Sequence, residues 1–157
     1  MYEYKYLGTV LDNRLKFDVS TDLTHKKCQS RVFCLQKLRH LNVSNEILQT
    51  FYLCFTESVL SFSFLCWFGG LNVKCKNTLN KVVNVCSNIV GRKQTGLSEL
   101  YECRAVSKAC AIALDKSHNL AKHYELLPSG RRYRTLKAKT VRKKTSFIAM
   151  SVEFLNK

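Results

Sequence analysis

Acid is what this sequence has least of. Eleven Asp and Glu stand against 26 Lys and Arg in 157 residues, a formal charge of +15. Aspartate occurs only at Asp12, Asp18, Asp22 and Asp115, with no pair spaced to hold two metal ions. Proline occurs once, at Pro128, and glycine six times. So there is no Gly-rich phosphate or dinucleotide turn and no Pro-rich linker. CxxC is missing as well. These absences remove nucleotide-dependent and two-metal enzymes from the readings and leave binding as the leading class.

What is present is a core and a positive field. Hydrophobic residues make up 46%, too many for a disordered chain. The charge excess attracts polyanions, with nucleic acid first and an anionic membrane surface second. Of the +15, the run Arg131, Arg132, Arg134, Lys137, Lys139, Arg142, Lys143 and Lys144 carries +8, so +7 lies elsewhere. No acid interrupts it. Such a run is a solvated face or a surface that meets phosphate. Tyr133, set in RRYR, either stacks on a base or anchors the run on the core.

Eight cysteines fall at Cys28, Cys34, Cys54, Cys66, Cys75, Cys86, Cys103 and Cys110. The opening MYEYKYLG is polar and aromatic rather than signal-like, so reduced, buried thiols of an intracellular protein are expected, in nucleus or cytoplasm. Cys103, Cys110, His118 and His123 could be read as zinc ligands. The first two lie seven residues apart in a predicted helix, not on a turn, which argues against a site. No metal, cofactor or small-molecule substrate is expected.

Periodicity predicts a mainly α protein: a short N-terminal β-hairpin, four helices and a basic C-terminal arm. The alternation Tyr2, Tyr4, Tyr6 and the break at Gly8 give two strands over residues 1–17. Asp18 or Ser20 is the expected cap of a helix over 19–41, with Leu23, Lys27, Ser30, Cys34, Leu38 and Leu41 inward and Phe33 and Leu35 widening the stripe. A second helix over 46–66 carries Ile47, Phe51, Phe55 and Val59 on one side. It is so apolar elsewhere that it should be central. Its Glu57 and serines favour a buried helix over a membrane span, and Gly69 and Gly70 should stop it in the left-handed region. A third helix runs over 74–90, closed by Gly91. A fourth runs over 98–116, bent or split. Phe147 to Leu155 should dock as a strand or short helix. The domains expected are 1–17 (hairpin), 18–116 (helical bundle) and 117–157 (basic extension).

The ordered blocks YKYLGTVLDNRLKF, KKCQSRVFCLQKLRHLNVSNEILQTFYLCFTESVLSF, CWFGG, KNTLNKVVNVCSNIVG, LSELYECRAVSKACAIALDKSHNL and YELLPSGRRYRTLKAKTVRKKTSFI carry a resemblance. The chain resembles the C-terminal part of the reverse transcriptase of non-LTR (LINE-type) retrotransposons. The resemblance implies that Tyr6, Leu7 and Gly8 belong to a primer-grip hairpin at the end of the palm. It implies that the helices form a thumb-like bundle along template–primer, RNA or DNA. The paired aspartates of that family's palm are absent here, so the chain reads as a non-catalytic remnant begun at an internal methionine. His118-Asn119 stands where the family has His-Pro. The helix pair from Lys27 to about Phe62 is also similar to the N-terminal helical segment of the tRNA-modifying AlkB homologue. That likeness implies a protein-interaction module whose 2-oxoglutarate-dependent dioxygenase and methyltransferase domains are not in this chain.

Overall fold

The structure is a computed structural model that describes residues 3–157; Tyr2 and the Met1 end of the first segment lie outside the described residues. It is mainly α, with an N-terminal antiparallel hairpin. The chain divides into two compact units, residues 3–64 with 71–97, and residues 65–70 with 98–157. The divisions therefore fall near residues 64–71 and 97–98 rather than at 17 and 116.

In the first unit, β1 (Glu3–Tyr6) pairs with β2 (Thr9–Asp12), Tyr6 opposite Thr9. The two-residue turn between them has Leu7 at φ 44° and Gly8 at φ 85°. Positive φ at both positions suits the right-handed strand twist, and glycine fits it while leucine is strained. The Asp12 carboxylate then gathers the N–H groups of Arg14, Lys16 and Phe17 at 2.8–3.2 Å. Desolvation pushes that carboxyl up, but the donors at Lys16, Phe17, Arg14 and Leu15 outweigh it and hold it below its usual range.

Helix α1 (Asp18–His40) starts from Phe17 in the left-handed region with no side-chain cap. Asp18 is not the cap expected of it; its carboxylate accepts from the Asn72 amide at 2.9 Å. The inward residues are Thr21, Cys28 and Leu35, a seven-residue repeat. The stripe read from Leu23 to Leu41 is thus displaced, and Leu23, Cys34 and Leu41 are exposed. Five basic residues on this helix made several rotations look equally amphipathic.

The second helical rod comprises α2 (Asn45–Phe51), a wider π-type turn at Tyr52–Glu57, α3 (Ser58–Leu60) and, past a break at residues 61–63, α4 (Phe64–Trp67). Leu48, Tyr52, Thr56 and Leu60 are buried, while Ile47 and Phe55 are over half exposed, at 57% and 53%. The predicted inward side was one residue off, for a plain reason: a rod apolar on every side offers no contrast. The rod is long and apolar enough to cross a membrane by length and composition. Only 33% of its most apolar window is buried, so it is central along one face alone.

Helix α5 (Val73–Val90) is better marked. Asn72 caps it by accepting the Cys75 N–H at 2.7 Å, and Gly91 closes it at φ 76°. Leu79, Val82, Val83, Cys86 and Val90 are buried as the periodicity predicts. Each fully buried aliphatic side chain contributes about 1.5–3 kcal/mol. Beside its C-terminal end, where Gln94 N–H donates to Ser87 Oγ, sits a polar pair: Gln49 and Gln94 exchange amide hydrogen bonds at 3.0 and 2.6 Å, with Gln94 only 7% exposed.

In the second unit, α6 (Leu97–Leu114) is continuous and buries Tyr101, Ala105, Ala109 and Ile112. Phe68 and Phe154 pack on the Tyr101 ring at centroid distances of 5.3 and 6.2 Å. Neither Gly69 nor Gly70 has positive φ. Gly69 is needed for space instead: a Cβ there would overlap the Thr145 carbonyl oxygen and lie 2.9 Å from Met150 Sδ. The chain then passes a 3₁₀ turn at Ala121–His123 and the single-turn α7 (Val141–Lys144). It ends in α8 (Phe147–Leu155), a helix rather than a strand, whose Val152 packs with Ala109, Ile112 and Tyr124.

Candidate nucleic-acid interface

The basic run begins on a small hairpin that the sequence reading missed. Leu127 donates its N–H to Arg132 O at 2.7 Å, and Arg134 donates to Glu125 O at 2.8 Å, with Leu126 bridged to Tyr133. The turn is closed by Gly130 N–H to Leu127 O at 2.8 Å, with Gly130 at φ 68°. Pro128 sits at the second position of that turn, where its fixed φ belongs, and Gly130 takes the left-handed residue. The signal was Pro-Ser-Gly itself, read as punctuation rather than as a turn.

Tyr133 is half-buried and its ring meets Tyr124 edge-on, 6.3 Å between centroids at 87°. Its N–H donates to Asn156 Oδ1 at 2.8 Å, and its carbonyl accepts from Asn156 Nδ2 at 3.0 Å. Tyr124 is fixed in turn by a 2.8 Å bond between its hydroxyl and Ser151 Oγ. Of the two roles open to Tyr133, the geometry serves the anchor. Alternation along the extended backbone turns Arg132 and Arg134 away from the side Tyr133 occupies.

Beyond it the exposure alternates again. Leu136 and Ala138 are half-buried, while Thr135, Lys137 and Lys139 are exposed. Thr140 Oγ1 accepts the Lys143 N–H at 3.3 Å and starts α7, which exposes Arg142, Lys143 and Lys144. All eight cations of the run are exposed. Held together, they repel one another, and an anion that neutralises them is favoured by the counterions it displaces.

The primer-grip expectation falls on the tip of the first hairpin. Tyr6 and Leu7 are 57% and 73% exposed, and Gly8 faces the Phe62 ring, 3.4 Å from where a Cβ would stand. On α1, Lys26, Lys27, Lys37 and Arg39 are exposed, whereas Arg31 donates to Phe55 O at 2.8 Å.

Three of the four aspartates are held by local structure. Asp12 holds its turn, Asp18 binds Asn72, and Asp115 accepts from Ser117 N and Oγ at 3.0 and 2.6 Å. Among the described residues, no group of three His, Cys, Asp or Glu side chains could hold a metal ion. All eight cysteines are free thiols, but only Cys28 and Cys86 are buried; Cys34, Cys54, Cys66, Cys103 and Cys110 are exposed. The expectation of buried thiols fails at these five: the inner faces of α1 and the second rod were misjudged, and on α6 Cys103 and Cys110 lie off the face that buries Tyr101, Ala105, Ala109 and Ile112. Burial pushes Cys28 up to about 11 and Cys86 up to about 12. A shallow apolar cleft of about 430 Å³ is lined by Ile47, Phe51, Cys54 and Phe55 with Glu46 and Thr50.

No family model, curated protein or solved structure matches this chain.

Proposed function

We propose that the protein is a non-catalytic nucleic-acid-binding remnant of a retrotransposon RNA-directed DNA polymerase, contacting template–primer through phosphates. The observation that carries this reading is the pinned basic surface. Eight exposed cations begin on a hairpin whose return strand is clamped at Tyr133 by Asn156. A rigid cationic surface loses less ordering entropy on meeting a polyanion than a free tail does. The resemblance of the ordered blocks adds the origin, and the exposed hairpin tip at Tyr6 and Leu7 is the part that would meet a primer end. The paired aspartates of that family's palm are not in this sequence, so the reading is of binding rather than polymerisation.

The test is fluorescence anisotropy with labelled duplex and single strands across a salt series. Engagement of half the run gives a slope of log K against log salt of about −3 to −4 on duplex. Changing Arg131, Arg132 and Arg134 to alanine flattens it by about 2 to 3 and weakens all sequences alike. Binding that ignores salt, or none at low salt, removes the reading.

A second reading is favoured by the exposed Ile47 and Phe55 beside the apolar cleft on α2. There the protein is a helical interaction module, as the likeness to the AlkB-homologue segment implies. Its signature is binding that Ile47→Asp abolishes and salt leaves unchanged.

A further inference from the structure

The basic surface carries one hydroxyl unlike its neighbours. Thr135 follows Arg131, Arg132 and Arg134, with Arg132 three residues before it. It is exposed and lies on irregular backbone between the Tyr133 clamp and α7. The other hydroxyls preceded at that distance by arginine are differently placed. Thr95, behind Arg92, is exposed, but it lies between Gln94, buried and bonded to Gln49 and Ser87, and the buried Leu97, whose N–H is bonded to Asn80. Ser107 lies within α6, and Thr145 Oγ1 is bonded to Val141 O at 3.1 Å at the end of α7. Thr140 spends its oxygen capping α7.

Protein kinases bind their acceptor segment extended, and a subset reads a guanidinium three residues before the acceptor through paired carboxylates. Thr135 suits both demands: it lies outside any helix, with no secondary structure for a kinase to unwind at the acceptor, and Arg132 is exposed. We propose that Thr135 is the acceptor for an arginine-directed protein kinase, and that its phosphorylation turns the basic surface off. The step takes the γ-phosphoryl group of Mg·ATP. A bond forms between phosphorus and Thr135 Oγ, the bond to the β–γ bridging oxygen breaks, ADP leaves, and the hydroxyl proton passes to the kinase's base. The product adds about −1.5 to −2 charges among Arg134, Lys137 and Lys139 and pairs with them in place of a nucleic-acid phosphate.

The regulatory half rests on the proposed function; the acceptor half does not. The experiment therefore has two readouts on the full chain. Purified protein is incubated with the catalytic subunit of cyclic-AMP-dependent protein kinase and radiolabelled Mg·ATP, and the site is read by peptide mass spectrometry. One phosphate per chain at Thr135 is expected, lost in Thr135→Ala, with kcat/KM lowered at least roughly tenfold in Arg132→Ala. Label on Thr95, Ser107 or Thr145, or none, overturns the assignment. The phosphorylated protein is then titrated with labelled duplex. The salt slope should fall by about 1.5 to 2. An unchanged slope overturns the switch. If unmodified protein binds no nucleic acid, the proposed function and the switch fall together, while labelling decides the acceptor.

Discussion

Asn156 grips Tyr133 at both ends of one residue, accepting its N–H at 2.8 Å and donating to its carbonyl at 3.0 Å. A single amide thereby does for the return strand what a neighbouring strand would do. Asn156→Ala removes both bonds, each worth about 0.5–1.5 kcal/mol. The expected loss is about 1–3 kcal/mol by urea unfolding. Asn156→Asp keeps the acceptor and loses the donor, so its loss should be the smaller of the two.

Tyr133→Ala separates anchoring from stacking. An anchor holds Arg132 and Arg134 in place for every ligand, so the alanine variant should weaken duplex and single strands by the same factor. Loss confined to single strands, by about 1–3 kcal/mol, would assign the ring to a base instead. Anisotropy at one fixed salt concentration distinguishes the two.

Polymerase activity should be nil. Asp12, Asp18 and Asp115 are bound to local structure, and two-metal phosphoryl chemistry needs carboxylates free to converge on the ions. Primer–template, magnesium and nucleotides are the assay, and primer extension above a heat-inactivated control contradicts the expectation.

The thiols divide by burial. In the native protein at pH 8, Ellman's reagent should reach Cys34, Cys54, Cys66, Cys103 and Cys110, and it should reach Cys28 and Cys86 only after unfolding. The same burial sets a pH dependence. The Cys28 and Cys86 thiols are raised in the folded state to about 11 and about 12, from an ordinary value of 9.0. An acid whose folded value is raised stabilises the fold fully below its unfolded value. That contribution is lost as pH rises from about 9 through the folded values, because the unfolded chain ionises first. The urea midpoint should therefore fall between pH 9 and 11, and fall less in Cys28→Ala with Cys86→Ala.

Gly69→Ala should cost at least about 1–3 kcal/mol, since the new methyl meets a backbone oxygen that cannot swing aside. Gly70→Ala, whose Cβ has only Trp67 O at 3.8 Å, is the control. Melting temperatures compare the two.

Helix α5 was legible in its span, its buried stripe and its Gly91 stop because polar and apolar residues alternate sharply along it, whereas its Asn72 cap went unread. Helix α1 was legible as an element but not as a face: lysines and arginines scattered around it blurred its inner edge, and Thr21 and Cys28 are poor apolar markers. The second rod failed in the opposite way, being apolar everywhere. At the candidate interface, the eight cations could be seen in the sequence. Their support could not, because Tyr133 and Asn156 are 23 residues apart and nothing in either neighbourhood names the other.

The Gln49–Gln94 pair has a meaning for that second rod. A greasy cylinder can dock at many rotations with nearly equal burial, and such degeneracy is the root of fluid, ill-defined packing. Turning α2 by one residue, about 100°, would keep oily surface inward yet take Gln49 from the buried Gln94, whose carbonyl oxygen would lose its donor. A buried acceptor left without a donor costs about 1–3 kcal/mol. Two glutamines thus choose one rotation among many, and the choice is made by penalty rather than by attraction.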